Sequence, residues 1–157
     1  MTRAQFSIRR ATIDDIDTLV ELRDAMWREG AAEMDSADAG EALDNAREYF
    51  EEKVPSGEYV CLLAEAEGHV VGIGGMFLYR HPPRPRSPRG VEGYILNMLT
   101  LSEWRRKGIA SAIMRELLEC AREAGAGLVG LRASEDGRRV YEKFGFEENP
   151  HYMQLAL

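Results

Sequence analysis

The run Arg105-Arg106-Lys107-Gly108-Ile109-Ala110-Ser111 follows a nearly continuous apolar stretch, Gly93 to Leu101 (GYILNMLTL). It leads into a segment whose apolar residues Ile109, Ile113, Leu117 and Ala121 step by four. The first pattern is that of a strand covered on both faces, and the second is one face of a helix. The run therefore sits at a helix start. There the backbone has N–H groups without partners and the positive end of the helix dipole, which attract a phosphate if the backbone can be approached closely. Gly108 and Ala110 keep that approach open, while Arg105, Arg106 and Lys107 add positive charge, with arginine able to make paired bonds to phosphate oxygens. A solvated basic turn is the plain alternative. The segment is not a nucleotide-hydrolysing loop, since GxxxxGK followed by Ser or Thr is missing, and GxGxxG does not occur in it.

The apolar strand carries one strongly polar side chain within Ile95 to Leu99. This is Asn97, which needs partners if buried and could orient water or a substrate, or bond within the sheet. Tyr94 lies on the same stretch, Glu92 precedes it and Glu103 follows it. Cys61 and Cys120 have no CxxC or Cys/His spacing and read as small core residues. His69, His81 and His151 are scattered, so no metal site is expected.

Around these residues the chain supplies regular elements. Ser7 to Ala11 reads as a first strand, and Thr12 or Asp14 caps a helix with Ile16, Leu19, Val20, Leu22 and Met26 on one side, running to about Trp27. A small, acidic Gly30 to Gly40 segment precedes a second helix with Leu43, Ala46, Tyr49 and Phe50, predicted to end before Pro55. Glu58 to Glu65 and His69 to Tyr79 read as a hairpin across Glu67-Gly68. Arg80 to Gly90, rich in Pro and Arg, reads as a solvated hairpin tip or a flap over the site. After the helix from about Lys107 to Glu123, Leu128 to Ala133 is a strand, Asp136 to Phe144 a helix, and Phe146 to Leu157 a strand pair broken near Asn149-Pro150. This order predicts an α/β (α+β) mixed sheet with helices on both faces, in a single domain over 1–157. Ligands of such sheets favour the C-terminal ends of strands and the N-termini of helices.

The basic run resembles the coenzyme A loop of the GNAT family of N-acetyltransferases, Arg/Gln-x-x-Gly-x-Gly/Ala, at Arg105, Gly108 and Ala110. Tyr141-Glu142-Lys143-Phe144-Gly145-Phe146 looks like that family's Tyr-x-x-x-Gly-Phe segment, at the expected distance downstream. The element order agrees along the chain, and motif agreement runs from about Tyr94 to Phe146. The resemblance implies a mostly antiparallel sheet and acetyl-CoA as acyl donor, with no metal. By it, the backbone of Met98, Leu99 and Thr100 pairs with the pantetheine arm, and Arg105, Arg106, Lys107, Gly108, Ile109, Ala110 and Ser111 hold the phosphates. It also places Tyr141 near the sulfur, as the acid for the leaving thiolate, and makes Ser134, where relatives carry Asn, a side-chain contact to the donor.

Acetyl transfer to an amine requires a neutral nitrogen, and a free alkylamine near pKa 10 is mostly protonated at pH 7, so a proton acceptor is needed. Glu92 is the candidate base, directly or through water, and a backbone N–H of the central strand is the candidate oxyanion donor. With no Cys/His arrangement in the sequence, direct transfer in a ternary complex is expected rather than an acyl-enzyme. By analogy the acceptor lies against Trp27, Glu29, Glu33, Met34, Asp35 and Asp38, whose acidity suits a cation. The expected acceptor is a small-molecule amine. The alternatives are a peptide or protein amine, and a non-catalytic acyl-CoA sensor.

At 157 residues, 45% hydrophobic and 30% charged, the chain has the composition of an ordinary globule. It contains no apolar run of the roughly 20 residues that a membrane helix needs. A formal charge of −7 opposes a nucleic-acid partner. Met1 to Arg10 lacks the apolar core of a secretory signal, so the cytoplasm is the expected compartment. A homodimer through terminal or edge strands is compatible with the order, with no specific interface indicated.

Overall fold

The computed structural model of the chain describes residues 5–29 and 38–157. Its strands are β1 (Ser7–Arg10), β2 (Tyr59–Ala66), β3 (His69–Arg80), β4 (Val91–Thr100) and β5 (Leu128–Leu131). Its helices are α1 (Ile16–Glu29), α2 (Ala39–Ser56), α3 (Ile109–Glu123) and α4 (Glu135–Lys143). The strands form one sheet in chain order, antiparallel from β1 to β4, with β4 and β5 parallel. A parallel pair cannot be joined by a tight turn, and α3 supplies the crossover. The β2–β3 turn places Glu67 and Gly68 at φ 53° and 79°, the left-handed pair that matches the twist of a two-residue hairpin.

Two cores lie on opposite faces of the sheet. On one, Ile109, Ile113, Met114 and Leu117 of α3 meet Val60, Leu62, Ala64, Met76 and Ile95. On the other, Ile16 and Leu19 of α1 and Phe50 of α2 cover Tyr59, Cys61, Leu63 and Ile73. α3 seats deeply because β3 has glycines beneath it. A Cβ at Gly74 would lie 2.4 Å from Ile113 Cγ2 and 2.6 Å from Met98 Sδ.

The segment 81–90 is the largely exposed tip of the β3–β4 hairpin, and it is anchored to the sheet at a few points. Ser87 is fully buried, and its hydroxyl donates to the Val91 carbonyl at 2.8 Å. Glu92 gathers the rest. Its Oε2 accepts from the Tyr79 hydroxyl at 2.7 Å, and its Oε1 accepts from the Arg84 guanidinium and lies 3.0 Å from His81 Nε2. Burial alone would raise the Glu92 pKa, but the bonds from Tyr79 and Arg84 and the charges of Arg84 and His81 outweigh it, and the net shift is downward.

The remaining differences from the sequence reading fall at element ends. α2 runs through Pro55 into Ser56, one residue past the proline expected to stop it, and Gly57 at φ 77° then ends it. The expected strand pair over 146–157 does not form: the segment finds no partner strand among the described residues, and Tyr152, Met153, Leu155 and Leu157 are exposed.

Two outcomes follow from this packing. Gly74→Ala overpacks the α3 contact and costs about 1–3 kcal/mol in a urea unfolding titration. For Glu92, a lowered folded-state pKa means that its stabilisation is complete above the ordinary carboxylate value and is lost as pH falls through the folded value. Glu92→Gln should therefore lower stability by about 1–3 kcal/mol at pH 7, the half-exposed Arg84 keeping the loss below that of a fully buried pair. Thermal melts should show that gap narrowing as pH falls below the ordinary carboxylate range.

Candidate active site

β4 and β5 pair in register from Glu92↔Leu128 to Ile95↔Leu131, and β5 then ends while β4 continues to Thr100. Along Leu96–Thr100 the β5 side of β4 therefore faces no strand among the described residues. Burial follows the pairing. Val91, Glu92, Gly93 and Ile95 are buried, whereas residues 96–100 are only half-buried, the apolar Leu96, Met98 and Leu99 among them. The stretch expected to be covered throughout is covered only in its first half. The second half is a strand edge able to accept an extended ligand by backbone pairing.

The same half carries a bulge. Gly75 pairs with Leu96 and Ile73 with Leu99, so β4 spends one residue more than β3 between these points. Ile95 and Met98 consequently face the α3 core, and Leu96 and Leu99 the opposite core, a spacing of three where an unbroken strand alternates by two. Asn97 occupies the bulge at φ 57°. Its Oδ1 accepts from Arg23 Nη1 at 2.6 Å, and its Nδ2 donates to the Tyr59 hydroxyl at 2.8 Å.

Beyond Thr100 a single 3-10 turn, Ser102–Trp104, leads to the basic run. Arg105 Nε donates to the Thr100 carbonyl at 3.1 Å, and its Nη2 lies 3.9 Å from Glu29 Oε2, which ties the run to the ends of both β4 and α1. Lys107 Nζ lies over the Trp104 ring at 4.5 Å. Arg106 and Gly108 have φ of 64° and 87°, so the backbone reverses hand before the helix. No side chain caps α3, and a Cβ on Gly108 would meet nothing within 4 Å. The first-turn N–H groups of Ile109, Ala110 and Ser111 thus face an open approach, the arrangement that binds anions. Ile109 itself is buried against the sheet, so its offering is its backbone.

Tyr141 is nine-tenths buried in the α3-side core, which Met98, Leu131 and Phe146 also join. The spacing of its motif has a local cause. Gly145, at φ 87°, ends α4; Gly145 N–H then donates to Glu142 and Phe146 N–H to Tyr141, the paired bonds of a left-handed helix cap. Phe146 is thereby folded back edge-on to the Tyr141 ring, with centroids 6.1 Å apart. The Tyr141 hydroxyl has no hydrogen-bond partner among the described residues, and burial raises its pKa above the phenol value of 10.0. Ser134 caps α4: its Oγ accepts from Gly137 N–H at 3.1 Å.

Thus Met98–Thr100 lie on one strand edge, the run 105–111 follows its end, and Tyr141 shares a core with Met98, while Glu92 stands apart. It lies near the start of β4, on the order of 15 Å along the strand from Asn97, with its oxygens already engaged. Of the expected acceptor wall, Trp27 lies under the Arg23 guanidinium at 4.8 Å, Glu29 approaches Arg105, and Asp38 leads into α2. Glu33, Met34 and Asp35 lie outside the described residues. Arg23 and Tyr59 were not singled out from the sequence. The signal for Arg23 was its place on the apolar stripe of α1, four residues after Leu19, where a charge needs a reason.

Comparison with known proteins identifies the fold and the family. A crystal structure of a predicted acetyltransferase from Clostridium acetobutylicum with acetyl-CoA superposes with a TM-score of 0.88 at 27% identity, over 97% of this chain and 96% of that one. A GCN5-related N-acetyltransferase from Ralstonia eutropha JMP134 gives 0.84 at 26%, over 97% and 99%. Glucosamine 6-phosphate N-acetyltransferase of Trypanosoma brucei brucei is 31% identical over 90 residues, 57% of this chain; the aligned part spans 59% of that relative's length. No helix among the described residues is long and apolar enough to cross a membrane. The family model for the acetyltransferase (GNAT) family matches residues 17–146, and the chain belongs to that family.

Proposed function

We propose that this protein transfers an acetyl group from acetyl-CoA directly to an amine, in a ternary complex. The observation that carries the reading is the end of β4–β5 pairing at Ile95↔Leu131, which leaves a strand edge running to an uncapped helix start. The donor's amide-bearing arm suits the edge at Met98–Thr100, and its phosphates suit the N–H groups and cations of 105–111. In the transfer the amine nitrogen forms a bond to the acyl carbon, the carbon–sulfur bond breaks, and the nitrogen loses a proton. Tyr141 donates a proton to the departing thiolate; its raised pKa keeps the phenol protonated at neutral pH. Negative charge on the acyl oxygen is met by a backbone N–H beside the bulge.

Glu92 serves the fold, since a carboxylate with a lowered pKa and bound to Tyr79 and Arg84 is a poor proton acceptor. The amine's proton passes to water. Burial pushes the Cys61 thiol up to about 12, so it stays protonated and unreactive, in keeping with direct transfer. A small-molecule amine is the favoured acceptor, supported by the sugar-amine relative. A peptide amine is the second reading, favoured by the tied 81–90 segment, which leaves the face around Tyr79 (40% exposed) uncovered.

Calorimetric titration with acetyl-CoA should show binding by the wild type and none by folded Gly108→Trp, whose side chain fills the phosphate approach; no binding by the wild type would sink the reading. Tyr141→Phe should keep acetyl-CoA affinity and lose about 10-fold or more in kcat on an amine panel. Retained binding with no transfer by either protein would mark an acyl-CoA sensor. With the Tyr141 phenol ionising above the ordinary phenol range, a rate profile should show kcat rising with pH as the amine loses its proton and no alkaline fall until pH passes that range.

A further inference from the structure

We infer that Asn97 is a positioning residue whose side chain, clamped between Arg23 and Tyr59, holds the β4 bulge so that a backbone N–H beside it meets the acyl oxygen of the donor. The inference rests on the acetyl-transfer reading above.

Three observations carry it. The first is conformational: φ 57° inside a strand is costly for most residues, and Asn is among the few side chains that tolerate it. Tolerance alone would not hold the bulge, because the same chain can relax to an extended conformation. The second is that both ends of the amide are committed to separate elements. Arg23 is on α1, with its guanidinium over the Trp27 ring at 4.8 Å. Tyr59 is on β2, 2% exposed, with its ring 5.2 Å from Phe50 and 5.7 Å from Tyr49 of α2. The place of the Tyr59 hydroxyl is reserved by a glycine, since a Cβ at Gly75 would lie 1.9 Å from it.

The third observation is location. The extra residue falls between Leu96 and Leu99, directly after the last β5 pair at Ile95. Contacts on the helix face of the strand therefore orient the backbone along its open edge. With Oδ1 and Nδ2 each bonded to a separate element, the Asn97 side chain is held in place and acts through the backbone. The donor side of the reaction is in this way braced by α1 and by the aromatic cluster under α2.

The test compares calorimetric affinities for acetyl-CoA and for CoA, which lacks the acyl oxygen. It needs no knowledge of the acceptor. Wild type should prefer acetyl-CoA by about 5- to 10-fold, the contribution of one hydrogen bond. Asn97→Gly, which adopts a positive φ freely but has no clamp, should keep the wild-type CoA affinity and lose the preference. Asn97→Asp should keep it, because a carboxylate accepts from both Arg23 and the Tyr59 hydroxyl. Tyr59→Phe, which removes one hydroxyl, should lose it in part and carries the test if Asn97→Gly does not fold. A wild-type preference retained in Asn97→Gly, or in Tyr59→Phe, overturns the inference and leaves the transferase reading standing, as does equal binding of the two ligands by the wild type. Failure of the wild type to bind either ligand removes both.

Discussion

A strand's backbone donors and acceptors must be met by something, and here the ladder between β4 and β5 stops before β4 does. That interrupted pairing is the constraint on which the rest of the molecule depends. An unpaired apolar edge is a liability in a sheet, and natural sheets keep such edges short or covered. In this protein the edge is confined to Leu96–Thr100 and flanked by the α3 start, which turns the liability into a place for an extended ligand.

Holding that edge in place requires the two faces to work on it from opposite sides. α3 can approach the sheet closely only because β3 offers Gly72 and Gly74, and its seat sets where its first-turn N–H groups lie relative to Thr100. Arg105 then joins the strand end to the basic run through the Thr100 carbonyl. On the other face, α1 and the aromatic cluster under α2 reach through Arg23 and Tyr59 to the bulge. The side chains of the site are few. Most of what the donor would meet is backbone, placed by packing on both faces.

The surroundings of two acidic or polar candidates are hidden in the sequence for the same reason. Glu92 reads as a base, and Asn97 as an orienting group or a hydrogen bond within the sheet, because sequence shows side-chain type but not partners. In the fold, Glu92 satisfies Tyr79 and Arg84, and Asn97 satisfies Arg23 and Tyr59, as buried polar groups must be satisfied. Ser134 likewise caps α4 through its hydroxyl. Tyr141 differs from all three: its ring is buried and its hydroxyl bonds to no described residue.

The sequence by itself determined the features that depend on near neighbours. The four-residue stepping of Ile109, Ile113, Leu117 and Ala121 specified α3, Glu67-Gly68 specified the hairpin, and Tyr141 to Phe146 specified a helix cap that folds a phenylalanine onto a tyrosine. Each involves contacts within a few residues, where spacing fixes geometry. Only the tertiary structure decided where β5 stops beside β4, that β4 carries an extra residue at Asn97, and that 81–90 is bound to Glu92. It also left 146–157, expected as a strand pair, without a partner strand among the described residues. Those outcomes depend on partners far away in the chain, such as Arg23 and Tyr59 for Asn97, and hydrogen bonds of that kind leave no periodicity in the sequence to read.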